Sequence, residues 1–414
     1  MAYINSLVQT IQDGLNREAL GDSSSRTVVT EAVDDLKAQV DAPWDILWET
    51  RFEILNSICK RLAIETGILH AIVTRDGNPI TSSELAEKTN LDKQFIERLI
   101  RVLTARRIIS EVDVCTYAAN DVTRLLDTPG SIAAEKYFFD FLFPIGANLI
   151  KCVKDGGIHQ FPTKDQKGPF EFTFGAPIFD FLEANKEYKV VFDNLMSGRR
   201  EGTEVKWFHT YPVASELASI RSNSQSETAR SHNEVESNGD PDPVLLVDIA
   251  GGRGHDIYAF ATEFPDLPGR LILEDLPSTF ANVDSARLDM LRSAGIEMLQ
   301  YDFFTPQPIH GARLYFMRDI CHDWPDAECK RFLGNVAKVM TKGYSKLLLD
   351  EHVIDDVNAN HRAAASDMLM MLVLTGIERT RSQWKELLGS VGLKIVKIWP
   401  NRRGQQSVIE SELM

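Results

Sequence analysis

The carboxy-terminal half of the chain repeats one pattern, a short apolar run followed by a stretch long enough for a helix. Such runs are typical of buried strands, and helices between them are typical of parallel sheets that are covered on both faces. An α/β fold with a mostly parallel sheet is therefore predicted for residues 244–414. The predicted strands are residues 244–249, 270–274, 312–317, 346–350 and 393–399.

A glycine-rich turn follows the first predicted strand. Asp248 lies at the strand end, Ala250 follows, and Gly251, Gly252 and Gly254 complete the turn before a predicted helix. Glycines at a strand-to-helix turn let a ligand approach the backbone, although such a turn can also serve only to pack a helix tightly on a strand.

The end of the second predicted strand favours the ligand interpretation. Asp275 stands there, and a carboxylate in this position can accept hydrogen bonds from both hydroxyls of a ribose. A nicotinamide dinucleotide would require the pattern GxGxxG to meet its pyrophosphate, whereas this turn reads AGGRG. S-adenosyl-L-methionine has no phosphate and needs only room for its amino-acid and sulfonium part, so the sequence favours S-adenosyl-L-methionine as cofactor.

The amino-terminal half has a different, helical pattern. Residues 1–44 are predicted to form a helical extension. Within residues 45–130, Thr81 and Glu84 match the start of a helix with a capping box, a second helix covers residues 92–107, and a short hairpin follows. Helix, turn, helix and hairpin together predict a winged helix.

A winged helix can bind DNA, and the second helix carries several basic residues. The whole chain opposes this interpretation, because 45 Lys and Arg against 60 Asp and Glu leave a net charge of −15. Charged residues on an amphipathic helix are usually its solvated face. A regulator that senses a metabolite stays open as an alternative, on the basis of Lys93, Arg98, Arg101, Arg106 and Arg107.

Two further segments separate these halves. Residues 131–220 are predicted to be helical and are dense in aromatic side chains, most of them core and a minority available to line a pocket. Residues 221–243 are rich in Ser, Asn and Glu and are predicted to form a flexible linker.

Cysteine usage and the amino terminus bear on location. Cys59, Cys115, Cys152, Cys321 and Cys329 are scattered without metal-ligand spacing, which fits a reducing cytosol. Polar residues throughout residues 1–20 are unlike a secretory signal, and no apolar run is long enough to cross a membrane. A soluble, cytoplasmic protein without a nucleic-acid or membrane partner is predicted.

Several ordered motifs resemble the O-methyltransferases of the plant caffeate type and their fungal small-molecule relatives. Ala250 stands where that family usually has a third glycine. The matching segments, in chain order, are VLLVDIAGGRG at 244–254, DLP at 275–277, YDFF at 301–304, FMR at 316–318 and CHDWPDAEC at 321–329.

The resemblance implies a Rossmann-like methyltransferase sheet and a homodimer formed through the amino-terminal winged helix. It implies His322 as general base, Glu351 and Glu378 as the carboxylates that flank it, and no metal. Residues 131–220 would contribute to the acceptor pocket. The cofactor-binding residues implied are Asp248, Gly251, Gly252, Gly254, Asp275, Asp302, Phe303 and Arg318.

The chemistry of methyl transfer explains a His beside two carboxylates. A phenol of pKa about 10 facing a His of about 6.5 makes complete prior deprotonation uphill by about 5 kcal/mol. Carboxylates that orient the imidazole and stabilise its cation lower this cost. Taken singly, His322 also fits an ordinary loop histidine, Glu351 a surface charge at a strand end, and Glu378 a partner of Arg379 or Arg381.

The predicted function is an S-adenosyl-L-methionine-dependent O-methyltransferase of secondary metabolism, acting on a hydroxyl of a small aromatic or polyketide-type metabolite. An alternative keeps the fold and the cofactor but changes the reaction to a dehydration or pericyclic rearrangement without methyl transfer, in which Arg318 and Asp319 would assist. The complete set of His322, Glu351 and Glu378 favours methyl transfer.

Overall fold

A computed structural model describes residues 1–22, 25–155, 167–201, 205–217, 243–400 and 406–414. The chain divides into two compact units, one formed by residues 1–150 and 178–203 and the other by residues 151–177 and 204–414. The segment predicted over residues 131–220 therefore contributes to both units. The predicted linker, residues 221–243, lies outside the described residues except for Pro243.

The amino-terminal part of the chain is mainly helical, as predicted. Helices α5 and α6 are followed by a hairpin of β2 and β3, and β1 pairs antiparallel with β3. A π-helical turn, Phe138–Leu142, precedes α9. The elements are α1 Ala2–Ala19, α2 Ser25–Val40, α3 Pro43–Glu65, α4 Ile68–Val73, β1 Ile80–Thr81, α5 Ser82–Thr89, α6 Lys93–Ala105, β2 Ser110–Asp113, β3 Thr116–Ala118, α7 Asp121–Leu126, α8 Pro129–Tyr137 and α9 Phe143–Lys154.

Local sequence explains the start of α5 and the orientation of α6. The Thr81 side chain accepts a hydrogen bond from the Glu84 N–H, and the Glu84 carboxylate accepts one from the Thr81 N–H, which is the predicted capping box. Helix α6 buries Ile96, Leu99 and Leu103 on one face. Its basic residues Lys93, Arg98 and Arg101 are exposed, and Arg106, just after the helix, forms an ion pair with Glu53.

Within the described residues, five further helices follow α9 in the chain before the first strand of the large sheet. Helices α8 and α12 approach each other closely at two glycines. A Cβ placed on Gly130 would lie only 2.7 Å from the Cα of Gly198. The buried rings of Phe141 and Phe170 agree with the predicted aromatic core, whereas Phe138 and Phe179 are exposed. These helices are α10 Pro169–Phe174, α11 Ile178–Ala184, α12 Lys186–Glu201, α13 Trp207–Thr210 and α14 Val213–Glu216.

A seven-stranded sheet forms the centre of the second unit, in the order β11-β12-β8-β7-β4-β5-β6. Strand β12 is antiparallel to both of its neighbours, and the pairs among the other central strands are parallel. A separate two-stranded parallel ladder joins β9 to β10. The strands are β4 Val244–Ile249, β5 Arg270–Asp275, β6 Ile296–Gln300, β7 Leu314–Arg318, β8 Lys346–Glu351, β9 Val353–Ile354, β10 Arg379–Thr380, β11 Leu393–Trp399 and β12 Ser407–Leu413.

Each of the five predicted strands is present, whereas β6 and β12 are strands that the sequence analysis did not predict. Strand β6 lies at the sheet edge and mixes exposed with buried residues, so it lacks the apolar run of a central strand. Helices pack on both faces of the sheet, as predicted for an α/β fold. The described helices between β4 and β11 are α15 His255–Glu263, α16 Pro277–Ala281, α17 Ser285–Ser293, α18 Asp326–Val339, α19 His361–Leu374 and α20 Arg381–Ser390.

Two apolar clusters cover the faces of this sheet because side chains alternate along each strand. On β4, Val247 and Ile249 belong to the cluster that also contains Phe332. Leu246 belongs to the other cluster, with Phe260. Among the described residues, no helix is both long and apolar enough to span a membrane.

One carboxyl group lies inside this apolar interior. Glu274, near the end of β5, is 0% exposed, and one of its oxygens accepts a hydrogen bond from Gln307 Nε2 at 2.8 Å. Its other oxygen has no hydrogen-bond partner among the described residues. Burial raises the pKa of Glu274 to about 7, although the hydrogen bond from Gln307 opposes the shift.

We expect Glu274→Gln to reduce the loss of stability with rising pH. Between pH 4.5 and about 7 the native carboxyl keeps a proton that the unfolded one has lost, so the free energy of unfolding falls across this window, by up to about 3 kcal/mol. Urea unfolding at pH 5, 7 and 8.5 measures this. Glu297→Gln, which removes a surface pair with Arg270, serves as comparison and should lose little stability. An unchanged pH dependence in Glu274→Gln would contradict the assignment.

Candidate active site

The candidate site lies at the carboxyl ends of the parallel strands. Strands β4 and β7 are neighbours in the sheet. After β4 the chain continues to β5 and β6 on one side, and after β7 it continues to β8 on the other side. Such a point, where the strand order reverses, forms a crevice at the carboxyl edge of an open α/β sheet. Most of the predicted site residues lie at the carboxyl ends of β4, β5, β7 and β8 or in the turns that follow them.

The turn after β4 approaches its neighbours closely. A Cβ placed on Gly251 would lie 2.5 Å from Leu273 Cδ1 and 2.6 Å from the carboxylate of Asp248. Gly252 and Gly254 have positive φ angles of 61° and 69°, and Ala250 has a φ of 57°. Glycine adopts these angles without strain, whereas Ala250 places a Cβ in the left-handed region. A side chain at Gly251 would therefore collide with its neighbours, and one at Gly252 or Gly254 would strain the backbone.

Asp275 holds this turn to the end of β5. Its Oδ2 accepts a hydrogen bond from the Gly252 N–H at 2.7 Å, and its Oδ1 accepts one from the Leu276 N–H at 2.7 Å. A carboxylate has about four lone-pair directions, so both oxygens keep the capacity to accept from ribose hydroxyls.

Asp302 and Phe303 follow β6, the next strand. Asp302 is exposed, and its Oδ1 accepts a hydrogen bond from the Phe304 N–H at 3.0 Å. The ring of Phe303 packs against Phe332 at a centroid distance of 4.9 Å and against Trp324 at 6.0 Å. Among the described residues, neither side chain hydrogen-bonds to the glycine turn.

Arg318, the last residue of β7, is held by acidic side chains. Its guanidinium donates to Asp256 Oδ1 at 2.8 Å and lies 3.2 Å from Asp350 Oδ2. Burial raises the pKa of Asp350 to about 7, against the opposing attraction of Arg318. Asp256 lies in the first turn of α15, so this ion pair ties the end of β7 to the helix that follows the glycine turn.

His322 lies in a short 3-10 turn, Cys321–Asp323, just beyond β7. Its Nδ1 lies 3.2 Å from Glu378 Oε1 and 3.9 Å from Glu351 Oε2, and its Nε2 lies 3.4 Å from Asp323 Oδ1. Burial opposes protonation of this imidazole, but the hydrogen bond to Glu378 and the nearby carboxylates raise its pKa well above the usual value. The structure therefore brings the three predicted catalytic residues together.

Glu378 reaches His322 from a segment far along the chain. Its Oε1 also accepts a hydrogen bond from Ser366 Oγ at 3.0 Å, and its backbone N–H donates to Asp367 Oδ1 at 2.9 Å. Burial favours the neutral acid, yet the hydrogen bond and the positive charge of His322 hold the pKa of Glu378 below its usual value. Glu378 and His322 therefore form an ion pair inside the protein.

Glu351, the last residue of β8, behaves differently from Glu378. It is 0% exposed, and its Oε1 accepts hydrogen bonds from the Ile320 N–H at 3.0 Å and the Cys321 N–H at 2.7 Å. Burial raises its pKa to about 8 despite the attraction of His322. At pH 7 Glu351 is therefore mostly neutral, and its described hydrogen bonds hold the backbone that precedes His322.

The sequence analysis missed the residues that hold this cluster in place. Ser366 and Asp367 lie on α19 and support Glu378. Gly376 is required for close approach, because a Cβ there would lie 2.2 Å from the His322 carbonyl oxygen. Arg379 is buried against the same turn. The proximity of Arg379 to Glu378 in the sequence was the one available signal, and it pointed to an ion pair between these two residues.

Three ligand atoms of Asp319, His322 and Glu351 lie within 4.8 Å of one another, a spacing that a metal ion could bridge. The His322 nitrogen on this side already contacts Glu378, and we assign no metal to the cluster. The expectation of a site without metal stays a prediction.

The glycine turn, the acidic ends of β4 and β5 and the seven-stranded sheet together define the fold class of the S-adenosyl-L-methionine-dependent methyltransferases. The O-methyltransferase domain family matches residues 242–394. The chain is 31% identical to the methyltransferase cfoC of Aspergillus candidus, over 99% of this chain and 97% of that protein. It is 31% identical to a demethylsterigmatocystin 6-O-methyltransferase of Aspergillus parasiticus, over 88% of this chain and 87% of that protein.

The chain therefore belongs to the O-methyltransferase family, as its motifs indicated, and it uses S-adenosyl-L-methionine. A solved structure of LepI in complex with SAM has a TM-score of 0.79 at 24% identity, covering 99% of this chain and 100% of that chain. This likeness concerns the fold, and it confirms the predicted α/β architecture with an amino-terminal helical region.

The residues at the sheet edge suit this cofactor. S-adenosyl-L-methionine carries a sulfonium and an ammonium group and no phosphate, so a site rich in carboxylates favours it electrostatically. Asp248 and Asp275 supply such carboxylates beside the glycine turn. Arg318, the basic residue at the end of β7, already forms an ion pair with Asp256 and lies 3.2 Å from Asp350 Oδ2.

We expect Ala250→Gly to stabilise the protein by up to about 1 kcal/mol, because it relieves the left-handed strain at φ 57°. Urea unfolding of the cofactor-free protein measures the change. Ala259→Gly, inside α15, is the matched control and should cost about 1 kcal/mol, since a right-handed helix gains nothing from glycine. A similar loss of stability in both variants would contradict the strain at Ala250.

Proposed function

We propose that His322 is the general base that removes a proton from an acceptor hydroxyl during methyl transfer, and that Glu378 orients it. The contact of 3.2 Å between His322 Nδ1 and Glu378 Oε1 carries this proposal. A hydrogen on Nδ1 that is donated to Glu378 leaves the lone pair of the neutral imidazole on Nε2. Nε2 is then the nitrogen that receives the acceptor's proton.

Proton removal begins from the neutral imidazole, whereas the carboxylates around His322 raise its pKa and favour the cation. When bound, S-adenosyl-L-methionine supplies the methyl group on a sulfonium whose positive charge opposes protonation nearby. Glu378 stabilises the imidazolium that forms when the acceptor's proton arrives. Glu351 keeps the turn in place through the N–H groups of Ile320 and Cys321.

The acceptor is proposed to be a hydroxyl of a small aromatic or polyketide-type metabolite. In support, the relative from Aspergillus parasiticus is named for methylation of an oxygen of demethylsterigmatocystin. The cofactor residues are proposed to be those of the sequence analysis, with Asp275 on the ribose, Asp302 and Phe303 at the adenine and Asp248 with the glycine turn near the amino-acid part. The free thiols agree with a cytoplasmic location.

We expect His322→Ala to lower the rate of methyl transfer by about 10² to 10⁴-fold, because proton removal loses its base. The affinity for S-adenosyl-L-methionine should stay within about twofold, since no proposed cofactor residue changes. Rates with a phenolic panel and labelled cofactor, together with calorimetry of cofactor binding, test this. His361→Ala, at the exposed start of α19, is the control.

Two outcomes would count against the proposal. Parallel loss of cofactor binding and activity in His322→Ala would make the residue architectural. Mass spectrometry of the wild-type reaction should show a product heavier by one methylene, with release of S-adenosylhomocysteine. An isomerised or dehydrated product with unchanged cofactor would instead establish the reaction without methyl transfer.

A homodimer formed through a winged-helix region, residues 45–130, is part of the proposal. In support, α3 exposes large apolar side chains along its length, among them Trp44, Leu47, Trp48, Phe52 and Leu55. Trp48 and Phe52 stack with ring centroids 5.2 Å apart and remain 43% and 49% exposed. A contiguous apolar surface of this kind is typical of an interface between subunits.

We expect Trp48→Glu to shift the protein from dimer to monomer, because a charge would have to be buried in the apolar interface. Light scattering after size exclusion measures the mass at several concentrations. Arg98→Glu, on the exposed face of α6, changes charge in the same region and should leave the mass unchanged. A monomeric wild type at micromolar concentration would refute the homodimer.

A further inference from the structure

Arg379 is a buried cation in direct contact with the turn that carries His322. The residue is 0% exposed, follows Glu378 in the chain, and lies over the ring of Trp384 at 5.3 Å from the ring centroid. Its Nε donates to Asp326 Oδ1 at 2.9 Å. Burying a guanidinium is costly unless its donors are satisfied, so the destinations of these donors indicate what the residue does.

Two further donor atoms of Arg379 reach the backbone on both sides of His322. Nη1 donates to the Cys321 carbonyl at 2.8 Å, and Nη2 donates to the Trp324 carbonyl at 2.8 Å. The guanidinium thereby bridges Cys321, the first residue of the turn, and Trp324, the residue that follows the turn. The fork of the guanidinium fixes both carbonyls in one geometry, which a lysine ammonium cannot reproduce.

The neighbouring backbone completes this contact. The Ile377 N–H donates to the His322 carbonyl at 2.8 Å, and the absence of a side chain at Gly376 allows the approach. On the opposite side, Glu351 accepts from the N–H groups of Ile320 and Cys321. The turn is therefore held through its carbonyls by residues 376–379 and through its N–H groups by Glu351.

This arrangement couples the placement of His322 to that of Glu378. Glu378 and Arg379 are adjacent, so the segment that orients the imidazole also holds its backbone. Rates in active sites are sensitive to such placement, and a displacement of about 1 Å can cost about 10²-fold. Arg379 itself contacts neither reacting group in the described hydrogen bonds, so its effect must pass through His322.

We infer that Arg379 is a positioning residue for methyl transfer, which clamps the 321–324 backbone so that His322 meets both Glu378 and the acceptor hydroxyl. The inference rests on the proposed role of His322 as general base. It predicts that weakening the clamp changes the rate and the titration of His322, with little effect on cofactor binding.

The test compares Arg379→Lys with Arg313→Lys. Arg313 is also buried and donates to two backbone carbonyls, those of Tyr344 and Glu216, but it precedes β7 at the opposite edge of the sheet. Both changes shorten a buried arginine that binds backbone, so both should lower the melting temperature. Only Arg379→Lys should alter catalysis.

In Arg379→Lys we expect kcat to fall by about 10 to 100-fold, while the acceptor KM and the affinity for S-adenosyl-L-methionine stay within about twofold. The acid limb of the kcat profile should move to lower pH, as in Glu378→Gln, because a displaced imidazolium loses its carboxylate. The titratable groups that face His322 are Glu378, Glu351, Asp319 and Asp323. In Arg313→Lys the profile should be unchanged.

Asp326→Asn is a second variant, which weakens the ion pair between Arg379 and the half-exposed Asp326. It tests the inference if Arg379→Lys does not fold. A reduced kcat with the same shift of the acid limb supports the inference. An unchanged rate and profile in the folded variants, or a loss of kcat without any shift, overturns it. If His322→Ala keeps full activity, the proposed function fails instead, whatever the arginine variants show.

Discussion

The ion pair between His322 and Glu378 is the interaction on which the rest of the site depends. Both side chains are almost completely buried, so water stabilises neither charge and each requires the other. Glu351, equally buried and 3.9 Å from the same imidazole nitrogen, avoids the cost of a second anion because its pKa is raised to about 8. Two carboxyl groups that look equivalent in the sequence therefore differ in charge and in task. Glu378 stabilises the imidazolium, and Glu351 holds the backbone.

A buried pair of this kind works only if the backbone holds the two groups at hydrogen-bonding distance. The parallel sheet places the ends of β7 and β8 side by side, which brings Glu351 under the turn that follows β7. Glu378 arrives from the segment between α19 and β10, where Ser366 and Asp367 support it. Gly376 lets this segment touch the His322 carbonyl. Backbone contacts on both sides thus hold the two groups at hydrogen-bonding distance.

The same sheet edge combines two electrostatic environments. Around β4 and β5, Asp248 and Asp275 surround a glycine turn and suit a cofactor with positive charge. At the end of β7, Arg318 is paired with Asp256 and lies against Asp350, so it adds little repulsion toward a sulfonium. The left-handed φ of Ala250 shows that the turn keeps its conformation even where a side chain makes it strained.

The sequence alone determined the five apolar strands, the glycine turn after β4 and the capping box at Thr81, because each depends on a local pattern. Motifs in a fixed order predicted that His322, Glu351 and Glu378 belong to one site, and their catalytic roles stay a proposal. The sequence did not reveal β6 or β12, whose mixed polarity gives no clear run. Only the tertiary structure decided that Glu351 binds the Ile320 and Cys321 N–H groups and that α19 supports Glu378. It also decided that Arg379 donates to the carbonyls around His322 instead of forming an ion pair with Glu378. Those contacts join segments that are distant in the chain, and burial, which sets the charge of each carboxyl group, exists only after the chain has folded.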